Sequence, residues 1–404
     1  MQTKYQNYNL LRNDMTNVTE WKTGLLFLLI ILINPIAGIS LYIIYIIIED
    51  NINIQLLPFC LLTILFLCAL NNTKVPFSDQ VRYYDYFKHL SKHSVTYNFT
   101  EFKDYGFVII NYILYFFFRG NTHLYGISIT FIQYSLLMYT AYLFAKANKH
   151  SSTTLLFTLI LIAFIPYIFA QTSHTLRQNI AACLLCYILI EYAFYKKKKW
   201  WSMILMVSIH WSSIIFIPLF FLPFLKERIS KKNFILYLGV IICLIFFKYI
   251  LSNILPSTNR IELAQGYISQ ATNSRGFGEY LVYIQNIILF ISLFFCTYIK
   301  RIKTHSTGII YFTNFLLILL FFNIISGKGE FVVRINFYIW YLMPFIITYI
   351  LSNFKFNKKV YLMASGLIIS FFIYYMEYMT PYTYKLPTTF YKCPLFQYFI
   401  NFSF

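Results

Sequence analysis

The chain is poor in charge and poorest in acid: 14 Asp and Glu stand against 33 Lys and Arg, and charged residues make up 12% of its 404 positions. Soluble domains carry about twice that charged fraction. With 59% hydrophobic residues, the chain falls in the membrane class, where length counts helices and not domains. Cysteine is scarce and odd in number, at seven. Cys60, Cys68, Cys183, Cys186, Cys243 and Cys296 lie inside apolar runs, with Cys393 in a polar tail, so no disulfide framework follows. Cys183 and Cys186 spell CxxC without a His or further Cys at metal spacing, which makes them buried small residues of a helix. There is no HExxH, P-loop, EF-hand pattern, GxSxG or Asp-x-Asp, which removes support for metal hydrolysis and nucleotide-driven transport. Glycine-serine linkers, internal repeats and any soluble domain are likewise missing, and both polar termini are short.

What is present is a succession of apolar runs of about 20 residues, the length that crosses roughly 30 Å of hydrocarbon. They cover 24–48, with a break at Asn34-Pro35, then 54–70, 105–118, 124–144, 154–170, 177–195, 200–225, 233–251, 280–299, 307–326, 335–351 and 360–379. The expected fold is an all-α polytopic transmembrane protein of about ten to twelve membrane helices, one integral membrane domain over 1–404. The run after Lys22 continues to Ile48 without a small-x-small cleavage site, so it is expected to stay as a first membrane helix.

The net charge of +19 would point to nucleic acid on a soluble domain, but here it reports topology, and no nucleic-acid partner is expected. The clusters Lys196–Lys199, Lys226–Lys232, Lys300–Lys303 and Lys355–Lys359 belong on the cytoplasmic side, against anionic membrane lipid. Only residues 200–225 separate the first two clusters, so that segment is expected to be a short or re-entrant hairpin with His210, Trp211, Ser212 and Ser213 at its external tip. The same alternation puts residues 171–176, the loop 252–279 and the link 327–334 outside, so that Arg177, Arg260, Arg275 and Arg334 share a side. The loop 71–104 is placed outside with them.

Several residues on that side could carry chemistry. Arg177 begins an apolar helix after polar residues able to cap it. A cation there opposes the helix dipole by a few tenths to one kcal/mol, unless an anion binds. Amides, dipole and guanidinium together make a phosphate site; the bland alternative is an Arg snorkelling to lipid headgroups. Replacing Arg177 by Ala is expected to abolish activity and leave folding intact. Arg334 repeats the pattern, with Glu330 four residues earlier as an ordinary pairing partner. Arg275 sits in Asn273-Ser-Arg-Gly-Phe-Gly278, whose glycines would let backbone approach a ligand. In the early loop Asp79, Arg82 and Asp85 fall along one side of a short helix: either a self-neutralising surface group, or an acid-base cluster beside Tyr83, Tyr84 and Tyr86, whose rings would stack on sugar faces. Gln178, next to Arg177, is a further sugar contact. His210 in an apolar segment is commonly a packing residue, but an ionisable group at membrane depth calls for a functional hypothesis, and its ordinary pKa suits a proton acceptor.

Taken together these residues resemble the EpsG-like branch of the Wzy-type polysaccharide polymerases. The resemblance rests on Asp79 with Asp85-Tyr86-Phe87 in an external loop, the Arg177-Gln178-x-x-Ala181 helix start, His210-x-Ser212 after the next basic turn, and Arg334 before a late helix. The chain departs from the pattern in lacking a Gly immediately before Asp79 and in its short final external tail. The resemblance implies a GT-C-like, metal-independent glycosyltransferase without cofactor, in the bacterial inner membrane with its site facing outward. Such an enzyme joins undecaprenyl-diphosphate-linked oligosaccharides by moving the growing glycan to the sugar hydroxyl of an incoming repeat unit. Arg177 and Arg334 would then stabilise the leaving diphosphate, with Arg82, Arg260 and Arg275 on the second one, and His210, Asp79 or Asp85 as the base. A chain-length regulator protein is the partner such a polymerase would have. The rival expectations are a lipid-linked oligosaccharide flippase, which should show two related halves, and an O-antigen ligase or membrane acyltransferase.

Overall fold

The structure, a computed structural model, describes residues 18–49, 56–74, 79–92, 104–172, 174–230, 235–244, 246, 277–299, 306–325, 330–354, 356–379 and 394–395. Among these residues there is no strand, and the protein is an all-α polytopic membrane protein. Among the described residues six helices are long and apolar enough to cross a bilayer, or seven if one bent pair is taken as a single span. The remaining apolar runs expected from the sequence form helices of 10–17 residues where they are described. The chain groups into two compact units, one made of residues up to 102, 108–176 and 356 onward, the other of 103–107 and 177–355.

In the first unit, α1 (Val18–Ile33) and α2 (Pro35–Glu49) are divided at Asn34. Pro35 cannot donate to the preceding turn, and the Asn34 side chain caps α2 by accepting from the Ala37 amide at 3.0 Å. The break expected at Asn34-Pro35 is therefore present. Helix α3 (Leu56–Asn72) packs against α6 (Thr122–Asn148), and α4 (Asp79–Lys88) lies on α6 through a stacked Phe87–Tyr125 pair at 4.1 Å. Helix α5 (Tyr105–Phe118) ends in a turn whose Gly120 takes φ +83°, and Asn121 then caps α6.

The run expected as one span over 154–170 is instead α7 (Ser152–Phe164) and α8 (Pro166–Thr172), bent by 53°. Pro166 removes the donor that would continue the helix, and Phe372 of α15 (Lys358–Tyr374) packs edge-on against both Phe164 and Phe169, one on each side of the bend. The freed polar groups at the end of α8 are met by side chains. Asn71 donates to the Thr172 hydroxyl at 2.7 Å, Gln133 to the Thr172 carbonyl at 3.2 Å, and Lys74, 5% exposed, to the Ala170 carbonyl at 3.4 Å.

The second unit contains α9 (Leu176–Tyr195), α10 (Trp200–Ile209), α11 (Ile235–Leu244), α12 (Phe277–Phe294), α13 (Thr307–Ile325) and α14 (Glu330–Ser352). Cys183 and Cys186 are buried and unbonded in α9, as small core residues would be. Asn286 of α12 donates to Asn323 of α13 at 3.0 Å and to Asn336 of α14 at 2.9 Å, an apolar-surrounded polar tie among three helices.

The segment 200–225 takes a form that the sequence pattern only half anticipates. Its first leg is α10, which at about 1.5 Å per residue is too short to cross alone. Its second leg is a chain of 3₁₀ turns, Trp211–Phe216, Pro218–Phe221 and Pro223–Lys226. Pro218 and Pro223 prevent an α-helix there, and α13 supplies the missing partners. Tyr311 donates to the Leu219 carbonyl at 3.2 Å, while Asn314 donates to the Leu225 and Glu227 carbonyls at 2.9 and 2.8 Å. Irregular backbone survives at membrane depth where protein satisfies it in this way.

Candidate functional site

Four of the residues singled out in the sequence meet in the second unit: Arg177, Gln178, His210 and Arg334. Arg177 is the second residue of α9 and Arg334 lies in the second turn of α14. The Gln178 amide donates to the Arg334 carbonyl at 2.7 Å and so ties the two helix starts together. The anion that a cation at the start of α9 calls for is Asp104, the residue just before α5. Its Oδ2 accepts from the Arg177 guanidinium, and its Oδ1 accepts from the Trp211 amide at 3.1 Å. Asp104 is 4% exposed. Three helix N-termini, those of α5, α9 and α14, are thus linked through side chains, and each adds positive potential.

His210 sits where α10 ends and the 3₁₀ leg begins, with extended backbone at φ −148° and ψ 100°. It lies between the helices, outside the six spans and the bent pair. The ring is 7% exposed, and neither ring nitrogen has a hydrogen-bond partner. Burial, then the charges of Arg177 and Arg334, hold its pKa well below the ordinary imidazole range. A neutral ring with two unsatisfied nitrogens can accept or pass a proton. Tyr338, one turn after Arg334, packs on Phe216 of the 3₁₀ leg with ring centroids 4.5 Å apart.

The hairpin can come this close to α5 because residue 106 is Gly. A Cβ there would stand 2.2 Å from Ser208 Oγ and 3.0 Å from the Ser208 carbonyl carbon. Gly106→Ala is expected to lower stability by about 1–3 kcal/mol, the range for overpacking a tight contact. Ser208→Ala in the same chain should recover part of it, since the nearest clashing atom is then gone. Thermal unfolding of the two variants checks this, and an unchanged melting point for Gly106→Ala would count against the close approach.

The other sequence candidates fall elsewhere. Asp79, Arg82, Asp85, Tyr83, Tyr84 and Tyr86 all belong to α4 in the first unit. Arg82 pairs with Asp79, the self-neutralising arrangement weighed above, and Asp85 is exposed. Tyr83 is 7% exposed, and the Tyr84 hydroxyl accepts from Gln80 at 3.1 Å while its ring meets Tyr125 edge-on. Arg260 and Arg275 lie outside the described residues, as does the side chain of Glu330. Sequence reasoning misses Asp104; the signal that could find it is an Asp directly before an apolar run, an N-cap pattern.

The described helices make an all-α, multi-pass membrane protein in which a part-buried arginine–aspartate pair and a buried histidine are polar groups that call for a functional reading. The model of the EpsG family matches residues 56–392, and the chain belongs to that family, a Wzy-like polysaccharide polymerase family. No curated protein and no solved structure matches it.

Proposed function

We propose that the protein polymerises undecaprenyl-diphosphate-linked oligosaccharide repeat units at the outer face of the bacterial inner membrane. The observation that favours this reading is His210, buried, unpartnered and held neutral by burial and by the charges of Arg177 and Arg334, in a chain of a polysaccharide polymerase family. In the transfer, the bond between the donor glycan's anomeric carbon and the diphosphate oxygen breaks. A new bond forms from that carbon to the acceptor's hydroxyl oxygen, and the hydroxyl proton passes to His210. The departing undecaprenyl diphosphate gains charge, which Arg177 and Arg334 stabilise as preorganised cations. Asp79 and Asp85 are the alternative bases, Arg82, Arg260 and Arg275 are assigned to the acceptor's diphosphate, and Tyr83, Tyr84, Tyr86 and Gln178 to its sugars. No metal or cofactor enters the scheme, and a chain-length regulator is the expected protein partner.

The test is the length profile of surface glycans from a strain lacking the protein, run on a gel beside the parent. Caps of a single repeat unit are expected, because export would continue while polymerisation stops. Complete loss of surface glycan with repeat units trapped inside would sink the reading and favour a flippase.

A further inference from the structure

Asp104 has no place in the transfer as written, yet its surroundings are unusually specific. Both carboxylate oxygens are engaged, one by Arg177 and the other by the Trp211 amide at 3.1 Å. A carboxylate removed from water is stabilised only by the charges and donors around it, and here those donors are the two parts of the site that must be aligned. The Trp211 nitrogen is bonded directly to the His210 carbonyl carbon, so fixing that amide fixes the backbone from which the imidazole projects. Gly106, two residues beyond Asp104, independently brings the same segment against Ser208, two residues before His210. At 4% exposure and with both oxygens occupied, Asp104 is placed to act through its neighbours and not on substrate.

Resting on the polymerase reading above, we propose that Asp104 is a positioning residue of the transfer site, which aims the Arg177 guanidinium and holds the His210–Trp211 turn beside it. Asparagine at this position keeps an acceptor for the Trp211 amide and loses the charge on Arg177, whereas glutamate keeps the charge at the wrong length.

The experiment uses the full chain in lipid nanodiscs. It measures binding of undecaprenyl diphosphate, together with the kinetics of polymerisation on lipid-linked repeat units extracted from a strain lacking the protein. Asp104→Asn is expected to remain folded, to bind undecaprenyl diphosphate about tenfold more weakly and to lose roughly 10–100-fold in kcat per folded molecule. Asp104→Glu should recover part of the loss. Combined with Arg177→Lys, Asp104→Asn should add little to the loss that Arg177→Lys causes alone, because both act through one guanidinium.

Losses that multiply in the double variant would overturn the proposal, as would activity per folded molecule equal to the parent in Asp104→Asn. If Asp104→Asn does not fold, Asp104→Glu carries the test in its place: it should lose activity per folded molecule, and equality with the parent is again the overturning result. A parent chain that neither binds the lipid diphosphate nor polymerises would bring down the polymerase reading and this one together. A parent that does both, with an indifferent Asp104, removes this one alone.

Discussion

Arg177→Ala should abolish polymerisation and also weaken the fold. The first effect follows from losing a cation at the leaving diphosphate; removing one preorganised donor of that kind lowers kcat by about 10²–10³-fold. The second follows from Asp104, which would be left 4% exposed without its counter-charge. Breaking one side of a buried ion pair costs about 3–5 kcal/mol, and the lower end applies here because the Arg177 side chain keeps 29% of its surface exposed. The second effect differs from the expectation that the substitution leaves folding intact, because Arg177 is the counter-charge of a buried carboxylate within the second unit. The double variant Arg177→Ala/Asp104→Asn should recover most of the lost stability and none of the activity. Thermal unfolding and glycan length, measured on all three chains, separate the two effects. Near-normal polymer from either variant would end the assignment of Arg177 to the diphosphate.

His210→Gln is expected to lower kcat by about 10²–10⁴-fold, the range for losing a positioned proton acceptor. Its pH dependence has a definite sign. The ring is active as a base when neutral, and burial together with Arg177 and Arg334 depresses its pKa, so the acid limb of kcat/KM should lie below pH 6.5, the ordinary imidazole value. Arg334→Gln removes one of the cations that disfavour the imidazolium, and the limb should move to higher pH even as donor binding weakens. Full activity in His210→Gln would transfer the base to the first unit, where Asp79→Asn and Asp85→Asn are the next substitutions to make.

Much of this architecture is legible in the sequence. The break at Asn34-Pro35 is visible because asparagine caps and proline cannot continue a helix. The hairpin at 200–225 was implied by basic clusters on both sides of a single apolar run, and Arg177, Gln178, His210 and Arg334 were picked out as charged or polar groups at the edges of such runs. The bend at Pro166 was missed because the apolar character of 154–170 runs straight through it. The 3₁₀ form of the hairpin's second leg is not legible in hydropathy, which counts apolar residues and is blind to the donors that Pro218 and Pro223 lack.

By itself the sequence determined the class, the family and the side-chain types at the site, since long apolar runs must be helices in a medium that offers no other hydrogen-bond partners. Only the tertiary structure decided which anion answers Arg177. Asp104 and Arg177 are 73 positions apart in the chain, and a pairing of that reach is set by packing within the second unit, through the space left by Gly106 and the amide offered by Trp211. Local sequence rules extend over one or two helical turns. Three-dimensional packing alone brings a carboxylate, a guanidinium and an imidazole from three segments to one place.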